Sequence, residues 1–202
     1  MNLPNKISMT RILMSPLFIV LFFLDGVLQN NFIIAAVVFA IAAFTDFIDG
    51  HIARSRGLVT NLGKFLDAIA DKVLVAVALI VLVTMKDTLF AQMGKAGDIL
   101  YIATAVSICL IMAREFIISA FRQIAALSGF AMAAEKLGKY KTTFQDVAVT
   151  VLIASVDIFA MSATAGVIVA WIGFALFGVA TVLTIISGVT YVLKYKKVLE
   201  NA

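Results

Sequence analysis

Six apolar stretches follow one another along the chain, and each is long enough to cross a bilayer as a helix. A spanning helix needs about 20 mostly apolar residues. The stretches cover roughly residues 10–27, 32–53, 63–85, 98–121, 140–157 and 165–193. Because 63% of the 202 residues are hydrophobic and only 14% are charged, a polytopic membrane protein is expected rather than a soluble domain. The predicted fold is all-α, a single membrane domain over 1–202 with six transmembrane helices and a short N-terminal interfacial helix over 1–9.

The basic residues predict how these helices are oriented. Six spans place both termini on the same side of the membrane. With the termini inside, all of the 16 Lys and Arg residues except Lys86 and Lys95 fall at the cytoplasmic ends. We therefore expect the connection between helices two and three to face the cytoplasm.

Four aspartates are placed where two of these helices meet. Asp46 and Asp49 are three positions apart near the end of the second predicted helix, and Asp67 and Asp71 are four apart near the start of the third. Each pair therefore shares one helix face, and an antiparallel turn would bring the two faces together. Four adjacent carboxylates repel one another unless cations lie between them. All-oxygen ligation favours a hard divalent ion, so these four residues are candidate ligands of two Mg²⁺ or Mn²⁺ ions.

Residues between the aspartates predict phosphate chemistry. Arg54 offers a planar cationic fork that suits phosphate oxygens, and Gly50 and Gly63 leave room for a nucleotide to approach the backbone. The whole pattern reads D-x2-D-G-x2-A-R-x8-G-x3-D-x3-D. A purely structural network of acids and bases is the alternative, but four acids exceed what the nearby basic residues would neutralise.

This motif resembles that of the CDP-alcohol phosphotransferase family at every fixed position. Members of that family transfer a phosphatidyl or related group from a CDP-linked donor to an alcohol and release CMP. They are six-helix membrane proteins, usually homodimers, that use two divalent metals. The resemblance implies that Asp46, Asp49 and Asp67 hold metal, and that Asp71 is the general base and also touches the second metal. It also implies that Gly50, Arg54 and Gly63 line the CDP pocket.

Three further stretches are similar to those of the bacterial phosphatidylglycerophosphate synthases, a branch of that family. They read PNKISMTR at 4–11, AREFIISAFR at 113–122 and LGKYKTT at 137–143. The first departs from the branch pattern at Ser8, where threonine is usual, but the hydroxyl is kept. The similarity implies CDP-diacylglycerol as donor and sn-glycerol 3-phosphate as acceptor, with Asn5 and Ser8 joining the CDP pocket. It also implies that the protein lies in a bacterial plasma membrane.

Basic residues on the fourth and fifth predicted helices suit such an acceptor. Arg114, Lys139 and Lys141 fall at the cytoplasmic ends of those helices, on the side of the aspartates, and would bind the acceptor phosphate. Glu115 follows Arg114 directly but points about 100° away around a helix, so it is not the expected partner.

Other functions and partners are weighed against this one. A related enzyme could use serine, inositol phosphate or phosphatidylglycerol as acceptor, and a cation or proton transporter could use the aspartates as an ion path. Gly50, Arg54 and Gly63 count against the transporter. The expected partners are the lipid bilayer and a second copy of the chain, with no nucleic acid. Close helix contact, suited to a dimer seam, is suggested by glycines 166, 173, 178 and 188.

Overall fold

The part of the chain that the computed structural model describes is almost entirely helical, apart from short connections such as residues 23–30. The structure describes the backbone of residues 3–55, 61–127 and 136–200, and the side chains of 9–45, 63, 69–125 and 137–195. The long helices are α1 (Leu3–Phe22), α2 (Asn31–Ser55), α3 (Asn61–Thr84), α4 (Gly97–Leu127), α5 (Lys136–Met161) and α6 (Ala163–Glu200). They follow the six apolar stretches in order and overlap each of them, which confirms the all-α prediction.

The start of the chain differs from the prediction. A separate short helix over residues 1–9 is wrong, because α1 runs unbroken from Leu3 to Phe22 and also ends five residues earlier than expected. The end of α1 is fixed by the first residue of α2. The side-chain amide of Asn31 donates to the carbonyl oxygen of Phe22 at 2.8 Å, and so satisfies one of the carbonyls that a helix C-terminus leaves without a partner.

A tertiary contact caps the start of α2. Asp157, near the end of α5, accepts a hydrogen bond from the backbone N–H of Ile33 at 2.8 Å through its Oδ2 atom. The first N–H groups of a helix lack intrahelical partners and carry partial positive charge, so a carboxylate there is stabilising. The contact fixes α5 against the first turn of α2.

The connection between α3 and α4 is also helical, although the sequence predicts a break there. A π-helical turn, Lys86–Phe90, leads into a 3₁₀ segment, Ala91–Ala96. Gly94 interrupts that segment with a φ of 56°, a backbone conformation that glycine adopts without steric cost. The chain can therefore reverse direction over a few residues and enter α4.

Three stretches within the described residues are long and apolar enough to cross a membrane: Lys86–Ala125, Leu137–Met161 and Ala163–Tyr195. Two shorter apolar helices, Met9–Phe22 and Asn31–Thr45, accompany them. These lengths and compositions fit a membrane protein.

Aromatic and aliphatic side chains from all six long helices form the core. Phe18 and Phe39 are fully buried, with ring centroids 5.6 Å apart, and Leu82 and Leu152 are fully buried members of the same cluster. The helices α5 and α6 pack extensively against each other. A Cβ atom on Gly173 would lie 2.7 Å from Cγ of Leu152, so only glycine allows this approach.

Three of the four glycines highlighted in α6 make close contacts inside the chain. Besides Gly173, Gly166 lies against Phe159 of α5, and Gly188 lies against Arg114 of α4. Gly178 is different, because an added Cβ would meet nothing within 4 Å. The predicted close helix contacts are thus confirmed as packing within one chain at three positions.

Candidate active site

The two halves of the aspartate motif lie on α2 and α3, as predicted. Asp46 and Asp49 belong to the last three turns of α2, and Asp67 and Asp71 belong to the first three turns of α3. The helical backbone therefore supports the shared-face argument for each pair. The side chains of Asp46, Asp49, Asp67, Gly50 and Arg54 lie outside the described residues, as do those of Asn5 and Ser8 on α1. Gly63, in the first turn of α3, is half-buried.

Asp71 is described, and it lines a cavity of about 230 Å³ between α3, α4 and α5. The wall from α3 also includes Lys72 and the apolar residues that follow it. The residues facing the cavity from α4 and α5 are Met112, Glu115, Phe116, Lys141, Thr142 and Gln145. The cavity thus joins the predicted general base to one of the predicted phosphate-binding lysines.

Glu115 ties the two basic side chains of this region together. Its Oε1 atom accepts a hydrogen bond from Nη1 of Arg114 at 3.0 Å and another from Nζ of Lys141. Lys141 is buried, with 4% of its side chain exposed, whereas 26% of the Glu115 side chain is exposed. Two cations and one anion leave the group with a net positive charge, beside the cavity that Asp71 lines.

The expectation that Glu115 does not pair with Arg114 is wrong. Neighbouring positions do differ by about 100° around the helix. The side chains of arginine and glutamate are nevertheless long enough to reach around the helix surface and meet. Contacts with α6 also hold the guanidinium in place, since its Nη2 atom donates to Oγ of Ser187 at 3.1 Å. Gly188 leaves room for this arrangement, because a Cβ there would come within 3.0 Å of Cγ of Arg114.

Lys139 is placed apart from this group. It is exposed on α5, and the described residues that line the cavity do not include it. It lies two positions before Lys141, and residues so spaced do not share a helix face. The structure therefore joins Arg114 and Lys141 through Glu115 but does not bring Lys139 to them.

Two residues of this site were not selected from the sequence. Glu115 had an available signal, because it is the one acid in the apolar stretch 99–134 and lies beside a basic residue. Gln145 had a weaker one: it follows Lys141 by four positions, which places both on one face of α5. Its burial depends on how α3 and α4 pack around the cavity. The local sequence around Gln145 does not encode that packing.

The fit of the aspartate set to divalent metal rests on its chemistry. Among the described residues there is no group of three or more His, Cys, Asp or Glu side chains that could hold an ion. Three of the four motif aspartates have side chains outside that part of the chain. Four carboxylates on two helices provide the oxygen ligands that Mg²⁺ and Mn²⁺ prefer.

Comparison with known proteins identifies the family. Residues 1–193 match the family model described as CDP-alcohol phosphatidyltransferase. The match spans α1 to most of α6 and includes both halves of the aspartate motif. Enzymes of this family are generally dependent on divalent metal.

Several curated relatives are named CDP-diacylglycerol–glycerol-3-phosphate 3-phosphatidyltransferase. The Bacillus subtilis protein is 37% identical over 162 residues, which cover 75% of this chain and 76% of that protein. The Rickettsia typhi protein is 35% identical over 94% of each chain. The Shigella flexneri protein is 35% identical over 94% of this chain and 92% of its own.

Proposed function

Because the chain belongs to the CDP-alcohol phosphatidyltransferase family, we propose that it transfers a phosphatidyl group from CDP-diacylglycerol to sn-glycerol 3-phosphate. The products are phosphatidylglycerophosphate and CMP, so the protein acts in phospholipid biosynthesis. A relative named for this reaction, which matches over 94% of both chains, supports the choice of donor and acceptor. The observation that supports placing this reaction at one site is the cavity that Asp71, Glu115 and Lys141 line together.

The acceptor binds with its phosphate towards Lys141 and Arg114. Glu115 neutralises only one of these two charges, and an ammonium group has three donors, so Lys141 can bond both Glu115 and a phosphate oxygen. An acceptor without an anionic group would leave this positive charge without a counter-ion. Lys139, exposed nearer the start of α5, contributes long-range attraction for an anionic substrate.

Asp71 acts as the general base at the other side of the cavity. It takes the proton from the 1-hydroxyl of glycerol 3-phosphate as the oxygen forms a bond to the β-phosphorus, the one that carries diacylglycerol. The bond between that phosphorus and the bridging oxygen breaks, and CMP leaves with the electron pair. Arg54 stabilises the charge that develops on the departing CMP.

Asp46, Asp49, Asp67 and Asp71 would hold two Mg²⁺ or Mn²⁺ ions. When bound, these ions would neutralise the diphosphate and lower the pKa of the attacking hydroxyl. Asn5, Ser8, Gly50, Arg54 and Gly63 contact the CDP moiety. The glycines matter there because a side chain would block the approach of the nucleotide to the backbone.

The proposal extends to the architecture of the protein in the membrane. All six helices contain at least 20 residues, which at 1.5 Å per residue reaches about 30 Å, the thickness of the hydrocarbon core. All six therefore cross the plasma membrane, with the catalytic cavity open to the cytoplasm, and the protein forms a homodimer. The distribution of basic residues supports this orientation.

The test is CMP release by the purified protein in detergent with CDP-diacylglycerol and Mg²⁺ or Mn²⁺. Separate reactions contain glycerol 3-phosphate, serine, inositol phosphate or phosphatidylglycerol, and a chelator provides the metal-free control. Metal-dependent release with glycerol 3-phosphate alone supports the proposal. Release with another acceptor instead would move the assignment within the family. No release with any acceptor, together with cation flux into proteoliposomes, would replace it with a transporter.

A further inference from the structure

Gln145 is a buried amide in the wall of the catalytic cavity. It lies on α5 one turn beyond Lys141, and only 1% of the residue is exposed. Its side chain lines the same cavity as Asp71 and Glu115. The proposed chemistry and phosphate binding assign it no role.

The carbonyl oxygen of that amide lacks a hydrogen-bond partner among the described residues. Buried polar groups in proteins are nearly always paired, because losing water without gaining a partner is costly. An orphaned amide in the wall of a cavity therefore indicates a partner supplied by whatever enters the cavity.

Neighbouring polar groups are already engaged with other partners. Oγ1 of Thr142 donates to the carbonyl oxygen of Gly138 at 3.1 Å, and Glu115 accepts from Arg114 and Lys141. The amide of Gln145 offers both an acceptor and two donors, which is the complement of a hydroxyl group. A phosphate would bind the amide less well than it binds the adjacent lysine.

We infer that Gln145 determines acceptor specificity by binding the hydroxyl that is not attacked, the 2-hydroxyl of the glycerol unit. The inference rests on the proposed function. Lys141 holds the phosphate, Asp71 faces the attacking 1-hydroxyl, and Gln145 lies about 6 Å from Lys141 along the helix axis. A three-carbon acceptor spans this group of residues, with its middle carbon towards the amide.

The test removes the hydroxyl from the substrate and the amide from the protein in turn. The kcat/KM for glycerol 3-phosphate is compared with that for 3-hydroxypropyl phosphate, which has the same ends but no 2-hydroxyl. We expect the unaltered protein to prefer glycerol 3-phosphate by about tenfold, the scale of one hydrogen bond to a buried group. In Gln145→Met, which keeps the length of the side chain, the preference should fall to less than about twofold.

A matched control makes the same change elsewhere. Gln123→Met alters an exposed glutamine on α4, and it should leave the preference as in the unaltered protein. Should Gln145→Met fail to fold, as judged by size-exclusion chromatography in detergent, Gln145→Asn provides the comparison, because it keeps the amide but withdraws it by one methylene. For Gln145→Asn, the preference for glycerol 3-phosphate over 3-hydroxypropyl phosphate is expected to fall by at least about threefold relative to the unaltered protein.

Several outcomes would overturn the inference and leave the proposed function intact. One is an unaltered protein that uses both acceptors equally well. Another is a folded Gln145 variant that slows both reactions to the same extent, since that would assign the residue a structural role. Failure of the unaltered protein to use glycerol 3-phosphate at all is a different result, because it rejects the proposed function itself.

Discussion

Glu115 bridges α4 and α5 through its contacts with Arg114 and Lys141. The substitution Glu115→Gln tests whether this bridge stabilises the protein through its charge. The substitution keeps the size and an oxygen acceptor but removes the negative charge between Arg114 and Lys141. Breaking a fully buried ion pair costs about 3–5 kcal/mol, because the remaining charge is left unpaired. Lys141 is almost fully buried, but Glu115 is 26% exposed and screened by solvent, so we expect about 1–3 kcal/mol.

That loss corresponds to a fall of about 2–12 °C in the thermal midpoint of a domain of this size. The assay is the loss of the monodisperse peak on size-exclusion chromatography after heating in detergent. Added inorganic phosphate or glycerol 3-phosphate should raise the midpoint more in Glu115→Gln than in the unaltered protein. The reason is that a bound phosphate restores the missing negative charge beside Lys141 and Arg114.

Asp98→Asn is the matched control, since it removes an exposed carboxylate from the first turn of the same helix. Its effect should stay below about 1 kcal/mol, the scale of a charge near a helix terminus, and phosphate should not reverse it. An unchanged midpoint in Glu115→Gln, or an equal response to phosphate in both proteins, would refute the electrostatic account of the bridge.

Three further outcomes are expected. Arg114→Ala should raise the KM for glycerol 3-phosphate by about 10- to 100-fold in steady-state assays, because a charge-assisted hydrogen bond is lost. An unchanged KM would indicate that Arg114 only anchors its helix at the membrane surface. Asp46→Asn should raise the Mg²⁺ concentration needed for half-maximal CMP release by at least about tenfold, and an unaltered metal titration would remove it from the ligand set. Asn31→Ala should lower the free energy of unfolding by about 1–3 kcal/mol, because the carbonyl of Phe22 loses its buried partner, and equal thermal midpoints would contradict that capping role.

The helices could be predicted from the sequence because long apolar stretches separated by charged residues leave few other folds in a membrane. The aspartate motif fell on α2 and α3 for the same reason. The separate N-terminal helix was wrong because residues 3–8 continue directly into α1. Nothing in their local composition distinguishes a short helix from the first turns of a longer one.

The side-chain network could be predicted only in part. The spacing of Lys139 and Lys141 already places them on different faces of α5, so their separate environments could have been read from the sequence. The contact between Arg114 and Ser187 joins residues 73 positions apart, and it depends on the packing of α4 against α6. The burial of Gln145 likewise depends on helices distant in sequence, because α3 and α4 form the opposite walls of its cavity.

The role of Asp71 is the central claim, and one comparison tests it most directly. The unaltered protein and Asp71→Asn are incubated with CDP-diacylglycerol, glycerol 3-phosphate and Mg²⁺, and both products and CDP-diacylglycerol binding are measured. We expect equimolar CMP and phosphatidylglycerophosphate from the unaltered protein. Asp71→Asn should retain CDP-diacylglycerol binding but turn over at least about 100-fold more slowly, the usual loss on removing a general base. Turnover within about twofold of the unaltered protein would contradict the account.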